Sequence, residues 1–214
     1  MESSVSFNGV TSTSPTSPSA GEAEPGSLES RILDAALDQF GLVGIKKTTI
    51  EDIARRAGVD RVTVYRRVGS RDDVVKMVTT REVGRALAAL QDIPDRHDDL
   101  ADLVTDILRT VYTLWRTHPL VTRMLDVEPD RVLPQLTTEG APVFAMCVFT
   151  ATEVLRRAVD KDLLPDSPDL PARVEIMCRV VHSLILQPHG AIPSETDAEL
   201  DTFARTYLVP ILRG

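Results

Sequence analysis

The sequence predicts an all-α protein in which a small amino-terminal helical unit is linked to a larger helical part. Aromatic residues make up only 4% of the 214 residues, whereas Ala, Leu, Val and Arg are plentiful, a composition that favours helices over strands. Apolar residues recur at steps of three and four beyond residue 27. The chain length fits a small module joined to a larger one.

The first 27 residues are predicted to form a disordered arm. Ser, Thr and Pro account for 14 of them, and apolar residues are too few to offset the entropy of ordering. No basic residue precedes Arg31, and the longest apolar stretch, residues 141–149, is far shorter than a membrane span. We therefore expect a protein that stays in the cytoplasm without contacting a membrane.

Three short helices are predicted after the arm. The first is ended by Gly41 and Gly44, and its inner face is formed by Ile32, Leu33, Ala36, Leu37 and Phe40. The second helix is predicted to begin at a capping box. In it the Thr48 side chain accepts from the Glu51 backbone N–H, and the Glu51 carboxylate accepts from the Thr48 backbone N–H. Its inner face comprises Ile50, Ile53, Ala54 and Ala57.

The third helix is predicted over 61–68, with Asp60 as its N-cap and Val64 and Val68 facing inward. A strand in which Val62 and Val64 alternate is the alternative. Gly58, which suits a helix end, and the short gap that follows it favour the helix.

A longer fourth helix is predicted to open at residues 70–73 and to close before Pro94. Prolines and polar breaks divide the rest of the chain into further candidates. These are helices over 98–117, 120–126, 138–161, 170–187 and 196–212, with a short turn near 129–136.

The second and third helices, joined by a turn that contains Gly58, have the layout of a helix-turn-helix, whose second helix enters the major groove of DNA. Residues 46–71 contain eight basic and three acidic residues, although the whole chain has a net charge of −8. Such a local basic patch is what neutralising phosphates requires. The overall negative charge argues against a protein that coats nucleic acid with its whole surface. It permits a contact with double-stranded DNA through one basic face.

Four blocks resemble the amino-terminal domain of the tetracycline-repressor (TetR) family: RILDAA at 31–36, TTIEDIA at 48–54, AGV at 57–59 and TVYRRVGSR at 63–71. The resemblance covers roughly residues 28–75. It implies a helix-turn-helix DNA-binding domain there, joined by the long fourth helix to an effector-binding and dimerisation domain at 76–214. It also implies a homodimer, a DNA operator and a small-molecule effector, with no cofactor or metal.

The resemblance also implies roles for single residues. Thr48 and Thr49 match positions that meet a phosphate, and capping is the simpler role for both. Tyr65 would donate a hydrogen bond to a phosphate, and packing is its alternative role. Arg71, at a position where lysine is usual in the family, would also contact a phosphate. The outward positions of the recognition helix are occupied by Arg61, Val62, Thr63, Arg66 and Arg67. Each of these side chains would contact a base, and the alternative for each is a contact with phosphate or solvent only. Val68 replaces a frequent phenylalanine.

The carboxy-terminal part offers weaker candidates. The resemblance implies an inducer pocket, for which the polar or adaptable candidates are Tyr112, Trp115, Arg116, His118, Met124, Phe144, Met146, Cys147 and Thr150. For each single one of these residues, a place in the plain core is favoured over a place in the pocket. A dimer seam is expected in the last two helices at Met177, Val181, Leu184, Phe203 and Tyr207. An intramolecular core face has the same periodicity.

The predicted function is a ligand-responsive transcriptional repressor that an apolar or amphipathic molecule releases from a palindromic operator. A DNA-binding activator or architectural regulator without an effector is the alternative. An enzyme is not expected, because the sequence contains no nucleophile–base pair, carboxylate dyad or phosphate loop. The histidines and the two cysteines lack metal-ligand spacing.

Overall fold

The computed structural model describes residues 26–118, 121 and 129–214, and within these ranges the protein is helical with no strand. The predicted all-α fold class is confirmed. Residues 1–25 of the predicted arm and nearly all of the predicted helix 120–126 lie outside the described residues. No helix within the described ranges is both long and apolar enough to cross a membrane.

Three helices make up the amino-terminal part: α1 (Leu28–Val43), α2 (Ile50–Ala57) and α3 (Arg61–Val68). The Ser27 side chain caps α1 by accepting from the Ser30 backbone N–H at 3.1 Å. The helix continues through Gly41, where a helical conformation is maintained, and ends at Gly44, which has a φ of 86°. The prediction that Gly41 ends α1 is therefore wrong.

The capping box of α2 lies one residue later than predicted. Thr49 is the N-cap, its side chain accepts from the Asp52 backbone, and the Asp52 carboxylate accepts from the Thr49 backbone N–H at 3.1 Å. Thr48 instead points inward and donates its hydroxyl proton to the Gly44 carbonyl at 2.7 Å. Because Thr48 is occupied in the preceding turn, the Thr48–Glu51 box does not form.

The long helix α4 (Arg71–Ala88) begins at a second capping box formed by Ser70 and Asp73. It ends before Pro94, as predicted, and a 3₁₀ turn (Ile93–Arg96) buries Ile93 and Pro94 before α5 (Leu100–Thr117) begins. Proline is tolerated at the start of such a turn because the N–H that it lacks would have no partner there.

The remaining described elements are α6 (Pro129–Leu136), α7 (Ala141–Asp160), α8 (Leu170–Leu186), α9 (Asp197–Phe203) and α10 (Val209–Arg213). A helix thus stands where a turn was predicted near 129–136. A π-helical turn (Ala204–Leu208) joins α9 to α10 and divides the helix predicted over 196–212. Pro210 cannot donate to the Thr206 carbonyl, which favours a widened turn at this point.

The buried apolar residues form two separate clusters. The N-terminal core extends from Ile32 to Val78 and the C-terminal core from Leu90 to Leu212. Helix α4 belongs to both, since Val74 and Val78 lie in the first while Leu87 packs against the second. The part of α4 between Val78 and Leu87 is therefore the joint between two independently packed units.

Candidate nucleic-acid interface

Helix α3 has one buried face and one exposed face. Val64 and Val68, four residues apart, are 0% and 3% exposed and lie in the N-terminal core. On the opposite side the side chains of Val62 and Tyr65 are 67% and 50% exposed. The other predicted recognition-helix residues lie on this face too, with Thr63 half-buried and with the exposed side chains of Arg61, Arg66 and Arg67.

The start of α3 is fixed by a side-chain cap. Asp60 Oδ1 accepts from the Thr63 backbone N–H at 2.7 Å, and this bond lowers the pKa of the Asp60 carboxyl. Gly58 takes a left-handed conformation, with a φ of 69°, at the preceding helix end. Arg31 of α1 donates to the Ala57 carbonyl at 2.8 Å. Together these bonds set the angle between α2 and α3.

The basic residues of this region divide into engaged and available groups. Arg55 pairs with Asp52 at 2.6 Å, and Arg56 pairs with Asp38 at 2.7 Å. By contrast, the three exposed arginines of α3 form no hydrogen bond or ion pair with any described residue. The uncompensated positive charge of the helix-turn-helix is therefore concentrated on the outer face of α3.

An open pocket of about 420 Å³ lies beside this face, at the amino-terminal end of α2. It is lined by Lys46, Thr48, Thr49, Ile50, Glu51, Arg61, Tyr65 and Arg71. The first amides of a helix have no intrahelical acceptor and carry the positive end of its dipole. With two arginines, a lysine and a phenol around these amides, the pocket has the chemistry that an anion requires.

Arg71 has a role that the sequence did not reveal. Its Nε donates to the Thr48 carbonyl at 2.9 Å, and its Nη2 donates to the Ile45 carbonyl. The side chain therefore holds the turn before α2 against the start of α4. Arg71 still lines the pocket, but two of its five N–H groups are directed at the backbone.

Thr48 differs from the other predicted contact residues because it is only 1% exposed. Its hydroxyl donates to a backbone carbonyl within the same turn, so this side chain does not belong to the exposed surface. Thr49 is exposed, although its hydroxyl is engaged with Asp52 at 2.6 Å. Thr49 is the N-cap of α2, and a phosphate contact by the same residue stays a prediction.

The predicted inducer-pocket residues that the structure describes lie on α5, just after it and on α7. Tyr112 is 3% exposed and belongs to the C-terminal core, with the exposed Arg116 guanidinium 5.6 Å from its ring centre. Trp115 and His118 are half-buried on or just after α5. Four others are half-buried on α7, namely Phe144, Met146, Cys147 and Thr150, while Met124 lies outside the described residues.

A shallow groove of about 490 Å³ runs between α7 and α8 and includes only Phe144 of that set. Apolar side chains dominate its floor, and Phe149, which is 68% exposed, is the most prominent. Glu153, Arg156 and Glu175 stand at its edges. Ile176, on the same helix as Glu175, is 50% exposed.

The predicted dimer seam needs correction. Met177 and Phe203 are 4% and 5% exposed and lie in the C-terminal core of the same chain. Val181 and Leu184 are half-buried and pack against that core. Tyr207 is 41% exposed, but its ring lies 5.2 Å from Phe203. Met177 and Phe203 therefore belong to the core rather than to an exposed seam, whereas a seam role for Val181, Leu184 and Tyr207 stays a prediction.

Nothing in the sequence indicated the polar residues at the joint. Arg81 of α4 is a buried charge, 9% exposed, and Glu82 stands beside it. In the sequence they are an ordinary pair of charges in a helix. Among the described residues, no group of three or more His, Cys, Asp or Glu side chains is placed to hold a metal ion.

Comparison with known proteins agrees with this geometry. Residues 32–78 match the family model described as bacterial regulatory proteins of the tetR family. An HTH-type transcriptional regulator of Mycobacterium bovis is 34% identical over 102 residues, which are 48% of this chain and 52% of that protein. One from Mycobacterium tuberculosis is 33% identical over the same shares. The match thus spans about half the length of these curated relatives.

Solved structures extend the likeness in fold to most of the chain. The TetR family repressor AlkX from a Dietzia strain superposes with a TM-score of 0.64 at 20% identity, covering 88% of this chain and 97% of that one. The repressor QsdR of R. erythropolis gives a TM-score of 0.60 at 20% identity, covering 86% and 94%. The resemblance seen in the sequence is confirmed for residues 32–78, which match the tetR family of bacterial regulatory proteins.

Proposed function

We propose that this protein is a DNA-binding transcriptional regulator that represses its target and is released by a small molecule. The exposed arginine face of α3 is the observation that carries the proposal. A helix with unpaired guanidinium groups beside an anion pocket suits the major groove and the phosphates along it. The family match supports this assignment, with residues 28–75 as the DNA-binding domain and 76–214 as the effector-binding and dimerisation domain.

Two kinds of contact follow from the geometry. Arg61, Arg66 and Arg67 are long donors that reach guanine O6 and N7, and the neighbouring Val62 and Thr63 offer methyl groups to thymine. The pocket at the start of α2 takes a phosphate, with Tyr65 donating its hydroxyl proton. The first contacts select sequence, whereas the second position the protein on the duplex.

A second copy of the chain is the proposed occupant of the groove between α7 and α8. One reading helix contacts too few base pairs for selective binding, so a two-fold dimer on a palindrome is expected. The groove is apolar at its floor, with both acidic and basic side chains at its edges, as a self-complementary interface requires. This proposal keeps α8 from the predicted seam and pairs it with α7 instead of with the helix predicted over 196–212.

The effector is proposed to be an apolar or amphipathic molecule that binds within residues 76–214. The proposed location is the cytoplasm, and no cofactor or catalytic step is assigned. A regulator that binds DNA without an effector is the alternative; its melting temperature would not respond to any candidate metabolite.

Selection of bound fragments from random DNA by the purified protein tests the proposal directly. An approximately palindromic consensus is expected. Affinity for that duplex is then measured across a salt titration for Tyr65→Phe, Arg66→Ala and Arg67→Ala, with Arg156→Ala as a control on α7 (Arg156 side chain 58% exposed).

Tyr65→Phe should weaken binding to all sequences, whereas the two arginine variants should also relax base preference by about 1 to 3 kcal/mol at one position. The control should bind as the unaltered protein does. Equal affinity in all four variants at every salt concentration would refute the proposal.

The groove is tested separately with Phe149→Glu. This variant should lower the fraction of dimer measured by sedimentation while leaving the fold intact. An unchanged fraction of dimer would refute the groove as the interface.

A further inference from the structure

The joint between the two cores is held by charges rather than by apolar packing. Six residues define what we call the joint cluster: Ser30, Asp34, Arg81, Glu82, Arg85 and His118. They come from α1, from the middle of α4 and from the residue that caps the end of α5. The cluster therefore touches the N-terminal unit on one side and the C-terminal unit on the other.

Arg81 connects α4 to α1. Its Nη2 lies 2.9 Å from Asp34 Oδ1, and its Nη1 donates to the Ser30 carbonyl at 3.3 Å. The Arg81 side chain is only 8% exposed, whereas the Asp34 side chain is 54% exposed, so the ion pair is buried on the arginine side alone. Arg85 adds a second, more distant charge at 3.7 Å from the same Asp34 oxygen.

Glu82 contacts both sides with its two carboxylate oxygens. Oε1 accepts from Arg81 Nε at 3.3 Å and from Arg85 Nη1 at 2.9 Å. Oε2 lies 3.3 Å from Nε2 of His118. The Glu82 side chain is 13% exposed, so water replaces a lost partner poorly.

These contacts make the position of α1 depend on the position of the α5 end. If His118 moves away, Glu82 loses one of its partners in a largely buried site, and its hold on the two arginines changes. Charges in one buried network respond together rather than independently. Since the arginines hold Asp34 and Ser30, the change reaches the helix that supports α2 and α3.

We propose that Glu82 is the residue that couples the two cores, transmitting a displacement at the end of α5 to α1 through Arg81. The proposal rests on the proposed function, because the displacement would be driven by the effector and would be read as release from DNA. Glu82 acts here as a positioning residue, since it lies away from the DNA-facing surface of α3.

Amide hydrogen exchange of the full-length protein without DNA tests the coupling. His118→Gln is expected to raise exchange about fivefold in the first turns of α1, around Ser30 and Asp34, although His118 belongs to the C-terminal unit. In a Glu82→Gln background the same change should have no further effect on α1. His189→Gln is the matched control, because the His189 side chain is 82% exposed and pairs only weakly, at 3.8 Å, with Glu195.

The proposal would be overturned if His118→Gln left the rate of amide hydrogen exchange in α1 unchanged. It would also be overturned if His118→Gln still raised that rate in the Glu82→Gln background. If Glu82→Gln fails to fold, a double-mutant cycle of Asp34→Asn and His118→Gln by urea unfolding decides the matter. Asp34 and His118 share Arg81 and Glu82 as intermediaries, so non-additive effects support the coupling and additive effects overturn it.

The same variants distinguish this proposal from the proposed function. Hydrogen exchange reports the coupling whether or not the protein binds DNA. If the exchange result holds but no duplex is bound at any salt concentration, the proposed function fails and the coupling stands. If DNA is bound and the exchange result fails, only the coupling is lost.

Discussion

Arg71→Met is expected to destabilise the protein as well as to weaken its contact with DNA. The methionine keeps the length of the side chain but removes the donors to the Ile45 and Thr48 carbonyls. A hydrogen bond from a charged donor contributes about 1.5 to 3 kcal/mol, and partial exposure reduces that figure. For the two bonds together we expect a loss of about 2 kcal/mol in the free energy of unfolding.

Urea unfolding followed by circular dichroism measures this loss, and Arg67→Met provides the control. Arg67 is also an exposed arginine of the helix-turn-helix but has no hydrogen-bond partner among the described residues. Its replacement should change the unfolding free energy by less than about 0.5 kcal/mol while still weakening DNA binding. If Arg71→Met unfolds at the same urea concentration as Arg67→Met, the side chain does not hold the turn before α2.

Three further predictions concern acid, packing and thiol chemistry. The Thr63 backbone N–H lowers the pKa of the Asp60 carboxyl, so the part of its capping contribution that depends on the charge is complete above about pH 4 and is lost as the pH falls further. The urea midpoints of the unaltered protein and Asp60→Asn should therefore differ at pH 6 and converge in acid, and a constant gap would contradict this. Phe40 is 0% exposed, and Phe40→Ala should cost about 3 to 5 kcal/mol of unfolding free energy, whereas a loss below about 1 kcal/mol would mean that the N-terminal core refills the space. Burial raises the pKa of the Cys178 thiol to about 12, so iodoacetamide at pH 8 should modify it far more slowly in the native protein than in urea, and equal rates would contradict the burial.

The helix-turn-helix was predictable because its signals are local. Gly58, Asp60 and the spacing of Val64 and Val68 each constrain only a few neighbouring residues, and all of them agree with the structure. The capping box was predicted one residue early because Thr48 and Thr49 are both able to cap, and each is followed three positions later by an acidic residue. The choice between them depends on the Gly44 carbonyl that takes the Thr48 hydroxyl.

The rest of the chain was harder because burial is a tertiary property. Met177 and Phe203 have the periodicity of an interface, but helices of the same chain already cover them. Phe149 follows the same kind of pattern and is exposed. No sequence rule separates these cases. Arg81 was missed for a related reason, since nothing around it in the sequence indicates that α1 encloses its guanidinium.

The separation of the two cores has a consequence for building chimeras. Residues up to Val78 pack among themselves, so their replacement by the corresponding stretch of another regulator leaves the apolar contacts beyond Leu90 intact. The exchanged stretch must instead supply a suitable polar partner for α4. A foreign α1 without a carboxylate at position 34 would leave the buried Arg81 charge with a poorer partner. The stretch that contains α3 can therefore be exchanged as a block, provided that the carboxylate at position 34 is kept.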